Sequence, residues 1–153
     1  MPSYSASAHI AAPVESVWHV LAAVVAWPQW LPTVSSVQAL DGEPLAVGSR
    51  YVVRQPKLRP ATWRVTEVQP PGRFVWQARS PGLLMVAEHA IEEASRGNCR
   101  VTLRYSFSGL LGPLVGRLSR SDTGRYLSQE VASLKSRAEG QDRRQRPILP
   151  SSG

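Results

Sequence analysis

The chain has 153 residues, 42 % hydrophobic and 19 % charged, with a net charge of +7 and a single cysteine, Cys99. That length suits one domain with a core or an internal pocket, and no apolar run approaches the roughly 18 residues of a membrane span. One cysteine excludes a disulfide framework and a CxxC metal site.

Tyr4, Ala6, Ala8 and Ile10 alternate with Ser3, Ser5, Ser7 and His9, the period-two pattern of a half-buried strand. This alternation is unlike a secretory leader, so a cytoplasmic location is the default expectation. Pro13 suits a first helical turn, and Val14, Val17, Trp18, Leu21, Val24 and Val25 follow as one apolar stripe. The next stretch, AWPQWLP (26–32), holds two of the five tryptophans, and its prolines Pro28 and Pro32 limit it to a short helical turn.

From Val34 to Phe107 the sequence reads as strands separated by turn residues. Asp41-Gly42, Pro70-Pro71-Gly72, Ser80-Pro81-Gly82 and Ser95-Arg-Gly-Asn98 mark the turns. Between them Tyr51 and Val53, Trp63 and Val65, Phe74 and Trp76 each share a face. So do Met85, Ala87, His89 and Ile91, and then Cys99, Val101, Leu103, Tyr105 and Phe107. Gly112-Pro113 opens a long helix over 112–138, about 40 Å at ~1.5 Å per residue. Its middle, SRSDTG (119–124), carries no apolar stripe, which predicts a kink at Gly124 or a turn, with Ser121 and Asp122, facing a partly wet space. Residues 139–153 are polar, proline-containing and aperiodic, and read as a disordered tail after a domain of residues 1–138.

The positive charge is diffuse. Arg64, Arg73, Arg79, Arg100 and Arg104 stand singly in strand segments, where alternation turns most of them to solvent. This pattern excludes the clustered basic stripe of a sequence-reading DNA binder. Arg143-Arg144-Gln145-Arg146 could meet anionic lipid or nucleic acid, but beside two acids it reads as a solvated tail.

The order strand, helix, broken turn, six strands, long helix resembles the START-like (SRPBCC) superfamily of helix-grip proteins, and within it the bacterial polyketide cyclase/dehydrase-like and lipid-transport group. The segments that carry the resemblance are APVESVWHVLAAVVAWPQWLP (12–32), LAVGSRYVVRQP (45–56), WRVTEVQPPGRFVW (63–76), EHAIEE (88–93), VTLRYSFSGLLGPL (101–114) and YLSQEVASLKSR (126–137). The resemblance implies an α+β fold: a curved antiparallel sheet of about seven strands around a long C-terminal helix, with two short N-terminal helices and an internal apolar cavity. It does not fix a function, because one fold hosts many.

With a cavity implied, the ligand-lining candidates are Trp30 at its mouth and Tyr51, Trp63, Trp76, Met85, His89, Leu103, Tyr105, Phe107 and Leu118 along its walls. Trp27, three residues before Trp30, is expected to pack under the first helix. His89 has two readings, a general base beside Tyr105 or a satisfied core histidine. A hairpin symmetric around 94–98 sets His89 opposite Leu103, with Tyr105 its diagonal neighbour. Glu67 shares parity with Trp63 and Val65; turned inward it would be an acid/base candidate or a buried carboxylate with Arg54 or Arg79 as partner, but the favoured reading is a strand-end glutamate in solvent, turned out by a bulge. No phosphate loop, GxGxxG, HExxH or GxSxG motif occurs, and the three histidines are separated, so no cofactor or metal is expected. The expected partner is a hydrophobic small molecule, lipid or polyketide-like, without catalysis. The alternative is a cyclase, aromatase or dehydrase using His89 and Tyr105, and the oligomeric state is left open.

Overall fold

A computed structural model describes residues 2–145 of the chain. Seven antiparallel strands form one sheet: β1 (Ser3–Ile10), β2 (Ser36–Ala39), β3 (Arg50–Arg54), β4 (Ala61–Gln69), β5 (Arg73–Ser80), β6 (Leu83–Ser95) and β7 (Asn98–Ser108). Their spatial order is β1-β7-β6-β5-β4-β3-β2, so every hairpin neighbour in sequence is a neighbour in space and β1 closes against β7. Helix α1 (Val14–Ala22) and a 3₁₀ helix (Val24–Gln29) follow β1, and α2 (Gly112–Leu118) and α3 (Arg120–Gln145) follow β7. This is the helix-grip α+β architecture expected from the sequence.

One face of the sheet alternates inward as the sequence predicts. Tyr51, Trp63, Val65, Phe74, Trp76, Ala78, Ala87, His89, Ile91, Val101, Leu103 and Phe107 are buried, whereas Arg64, Arg79, Arg100 and Arg104 face solvent. The β6–β7 register pairs Ile91 with Val101 and His89 with Leu103, and Tyr105 stands opposite Ala87. From above the sheet, α3 contributes Thr123, Leu127, Val131, Leu134 and Ala138, a buried stripe at helical spacing. The 3₁₀ helix stays at two turns because Pro28 sits inside it. It sends Trp27 into the core, where the indole nitrogen donates to the Leu21 carbonyl at 2.9 Å.

Two expectations are corrected. The long helix breaks at Ser119, not at Gly124, which lies within α3. The break follows from how closely α2 is held. A Cβ on Gly116 would stand 2.6 Å from Pro2, and the Tyr4 hydroxyl donates to the Gly116 carbonyl at 2.7 Å, so α2 is pressed onto the β1–β7 edge while α3 crosses the sheet. Residues 139–145, read as tail, continue α3 to Gln145, with Asp142 buried and Glu139 accepting from the Ala11 backbone at 2.9 Å. The remainder of that expected tail, 146–153 with Arg146, lies outside the described residues. Glu67 points outward: the β4–β5 register skips Thr66 between Val65 and Glu67, and the bulge flips parity so that Val68 pairs with Phe74 on the inner face. The Glu67 carboxylate meets Arg73 at 3.3 Å, not Arg54 or Arg79. Among the described residues no helix is long and apolar enough to cross a membrane.

Candidate functional site

Between the sheet and α3 the interior divides into two unequal halves. The first is centred on Trp76. Its ring lies 5.2 Å from Trp27, 5.4 Å from Trp63, 5.5 Å from Phe74, 5.8 Å from His89 and 6.0 Å from Tyr51, centroid to centroid. The free space left among Trp27, Trp63, Trp76, His89, Leu103 and Tyr105 is about 40 Å³, room for a few waters at most. Tyr51 lies under this cluster and is spent as core, its hydroxyl 3.2 Å from the Glu43 carbonyl.

The second half is an open cavity of about 220 Å³. Met85, Tyr105 and Phe107 line it from the sheet, Leu58 from the β3–β4 connection, Val115 from α2, and Thr123, Leu127 and Glu130 from α3. Gln55, Ser119, Asp122 and Tyr126 add polar atoms. Tyr105 and Glu130 border both halves, so they stand where packed core gives way to open space.

His89 is 3 % exposed and lies flat on Phe74, with ring centroids 4.0 Å apart and planes 10° apart. Its Nδ1 is 3.4 Å from the Phe74 carbonyl, and because a carbonyl can only accept, this contact requires the Nδ1–H tautomer and leaves Nε2 as a lone pair. Burial holds the imidazole neutral, with its pKa pushed down to about 3 against a weak upward pull from that carbonyl. The Tyr105 hydroxyl donates to the Met85 sulfur at 3.7 Å, and burial, then the nearby Glu130, raise its pKa. The two residues therefore line one narrow space, but among the described residues each one's side-chain hydrogen bond goes to another partner.

Glu130 is the group that the sequence reading missed. It lies on the covering helix, partly buried over Tyr105's side of the cavity, and burial pushes its carboxyl up to about 7. A signal was present, since position 130 follows Leu127 by three and precedes Leu134 by four, on the inward stripe of α3. The other proposed wall residues divide. Trp63, Trp76, His89, Leu103 and Tyr105 border the narrow half, and Met85, Tyr105 and Phe107 the open half.

Trp30 and Leu118 are elsewhere. Trp30 lines a separate surface groove of about 450 Å³ along α3 with Arg137, Gly140 and Arg144, because Trp27 takes the inward position and their rings meet edge-on at 6.2 Å. Leu118 is 77 % exposed. It lies on the side of α2 turned away from the buried Gly116, and the α2 lining of the cavity is Val115. Ser121 likewise faces solvent, whereas Asp122 reaches the cavity rim and pairs with Arg125. Among the described residues no cluster of three His, Cys, Asp or Glu side chains could hold a metal ion.

In solved structures the chain is similar to the Zhui aromatase/cyclase from Streptomyces sp. R1128, with 15 % identity and a TM-score of 0.75 over 99 % of this chain and 98 % of that one. It is also similar to a START superfamily protein from Mycobacterium smegmatis, with 17 % identity and a TM-score of 0.70 over 91 % and 98 % of the two chains. At these identities the likeness is one of fold. No curated protein matches the chain in sequence. The family model described as polyketide cyclase/dehydrase and lipid transport, however, matches residues 1–139, nearly all of the described fold. With the strand order, the helix laid over the sheet and the cavity between them in agreement, the chain belongs to the polyketide cyclase/dehydrase and lipid transport family.

Proposed function

We propose that this protein binds a hydrophobic small molecule, lipid or polyketide-like, in the open cavity between β6–β7 and α3. The observation that carries this reading is the 220 Å³ of unfilled space lined by Met85, Tyr105, Phe107, Val115 and Leu127 with a few polar groups at its border. A mostly apolar wall with sparse, convergent polar atoms is how small-molecule sites are built. The volume is below the ~300–1,000 Å³ of drug-sized sites, so the cavity accepts a small ligand or one end of a longer one.

The test is a titration with 1-naphthol and decanoate, read by thermal melting and by tryptophan fluorescence. Trp63 is 5.6 Å from Tyr105 and reports on the cavity wall. Binding raises the melting temperature with the logarithm of the ligand excess. Val115→Trp fills the cavity from α2, a half-exposed position, and is expected to abolish both responses while the unliganded protein still folds. Absence of any melting shift across such apolar probes would sink the reading.

A second reading is cofactor-independent acid–base catalysis, an aldol-type cyclisation or dehydration. Tyr105 and Glu130 favour it, because a carboxyl near 7 is present both as acid and as base at neutral pH. The His89 and Tyr105 pair is the other version of this mechanism. His89 supplies a free Nε2 but is a weak base, as its pKa near 3 implies. Turnover of a linear poly-β-ketone analogue separates them. Loss of turnover in Glu130→Gln with retention in His89→Ala assigns Glu130, the reverse assigns His89, and no turnover by the native chain leaves binding alone.

A further inference from the structure

Helix α2 is amphipathic the wrong way round. Gly112 and Gly116 form the buried side of α2 and Val115 lines the cavity, while Leu111, Leu114 and Leu118 share the side turned away from the two glycines. Leu111 is 44 % exposed, Leu114 59 % and Leu118 77 %, and Leu110, just before the helix, is 92 % exposed. Leu58, on the other lip of the same cavity, is 52 % exposed. Single exposed leucines need no explanation, but four within residues 110–118, on a helix whose Val115 lines the cavity that Leu58 also borders, are of the kind that marks an interaction surface.

The rim is also basic. Lys57 and Arg59 flank Leu58, and Arg117 and Arg120 lie either side of Leu118; all four are exposed, and none takes part in an ion pair among the described residues. Residues 109–121 contain no acid at all. The nearest carboxylate, Asp122, is paired to Arg125. Leucines interleaved with unopposed cations suit a partner that is apolar inside and anionic at its surface. A second copy of the chain fits poorly, since it would bring the same four cations against one another.

We propose that the α2 leucines with Leu58 form a docking surface for anionic lipid bilayers, seating the cavity opening against the membrane. Each leucine entering the acyl boundary contributes through its buried area, and each Lys or Arg near an anionic surface adds attraction that salt weakens. The surface does not depend on the cavity reading, because bilayer contact requires no ligand.

The test is co-sedimentation of the full chain with vesicles of phosphatidylcholine alone or with 30 % phosphatidylglycerol. Binding is expected only to the anionic vesicles, falling at least tenfold in Leu114→Asp/Leu118→Asp and also in Arg117→Gln/Arg120→Gln. These positions are exposed, so melting temperature should hold. In Leu114→Trp the indole emission should shift to the blue with anionic vesicles, which reports insertion. Binding unchanged by Leu114→Asp/Leu118→Asp, or no blue shift, would overturn the proposal by reducing the contact to general electrostatics. A dimer in solution that Leu118→Asp dissociates would overturn it in favour of a second copy. Retained naphthol binding in the aspartate variants, read separately, keeps this outcome apart from the cavity reading.

Discussion

The two halves of the interior are built on the same pair of surfaces, yet one is solid and the other hollow. Around Trp76, five aromatic or imidazole rings meet within about 6 Å of its centroid and leave about 40 Å³. Around Tyr105 the facing helices offer Val115, Ser119, Thr123, Leu127 and Glu130 with Tyr126 as their one ring, and about 220 Å³ remains. The sheet supplies large side chains to both halves. What differs is the covering layer, where Trp27 fills one end and small or polar residues of α2 and α3 leave the other open. A cavity in this fold is therefore set mainly by the helical side.

The largest way to break the contrast is Trp76→Ala. It removes the ring at the centre of the packed half and is expected to cost about 3–5 kcal/mol, read by chemical denaturation. Met85→Ala, on the wall of the half that is already open, should cost clearly less. Equal costs would mean that the hollow half is as tightly packed as the solid one.

Protonation sharpens the comparison next. His89 has a folded pKa near 3, below its unfolded 6.5, so below 6.5 the unfolded chain takes up a proton that the folded chain refuses. Its neutral burial is harmless above 6.5, and stability falls as pH drops from 6.5 toward 3. By pH 4 the loss from this group is about 2–3 kcal/mol. His89→Phe keeps a ring on Phe74 and should flatten that limb of a plot of melting temperature against pH; an unchanged limb would place the titration elsewhere.

Glu130 in the open half runs the opposite way. Its folded pKa near 7 exceeds the unfolded 4.5, so the folded chain holds the proton longer and stability declines as pH rises from 4.5 to 7. Glu130→Gln should match the native protein at pH 4.5 and exceed it at pH 8 by about 1–2 kcal/mol, a discount on the full shift because the group is only partly buried. Identical melts at pH 8 would show that solvent already reaches the carboxylate.

Much of this molecule was legible in its residues. Strand alternation placed His89 opposite Leu103 without coordinates, because side chains on a strand have a strict period of two and a tight turn sets the register. Glu67 shows where that logic ends. A single bulge at Thr66 inverts the parity of everything after it, and the bulge has no residue-type signature in the strand itself. Glu130 went unnoticed for a different reason. Its helix carries a thin apolar stripe, and a glutamate on that stripe is visible only once the stripe is known to face a cavity.

What the sequence by itself determined is the order of elements, the inward face of each strand, the two short helices after β1 and the family resemblance, since these rest on local periodicity and turn chemistry. Tertiary structure alone decided that Trp30 lines a groove apart from the cavity, that the last helix breaks at Ser119, and that Leu118 faces solvent. Those outcomes depend on how closely Gly116 lets α2 approach Pro2 and on which ring reaches Trp76 first. Contacts between residues from about fifty to more than a hundred positions apart set them, and no local pattern encodes such contacts.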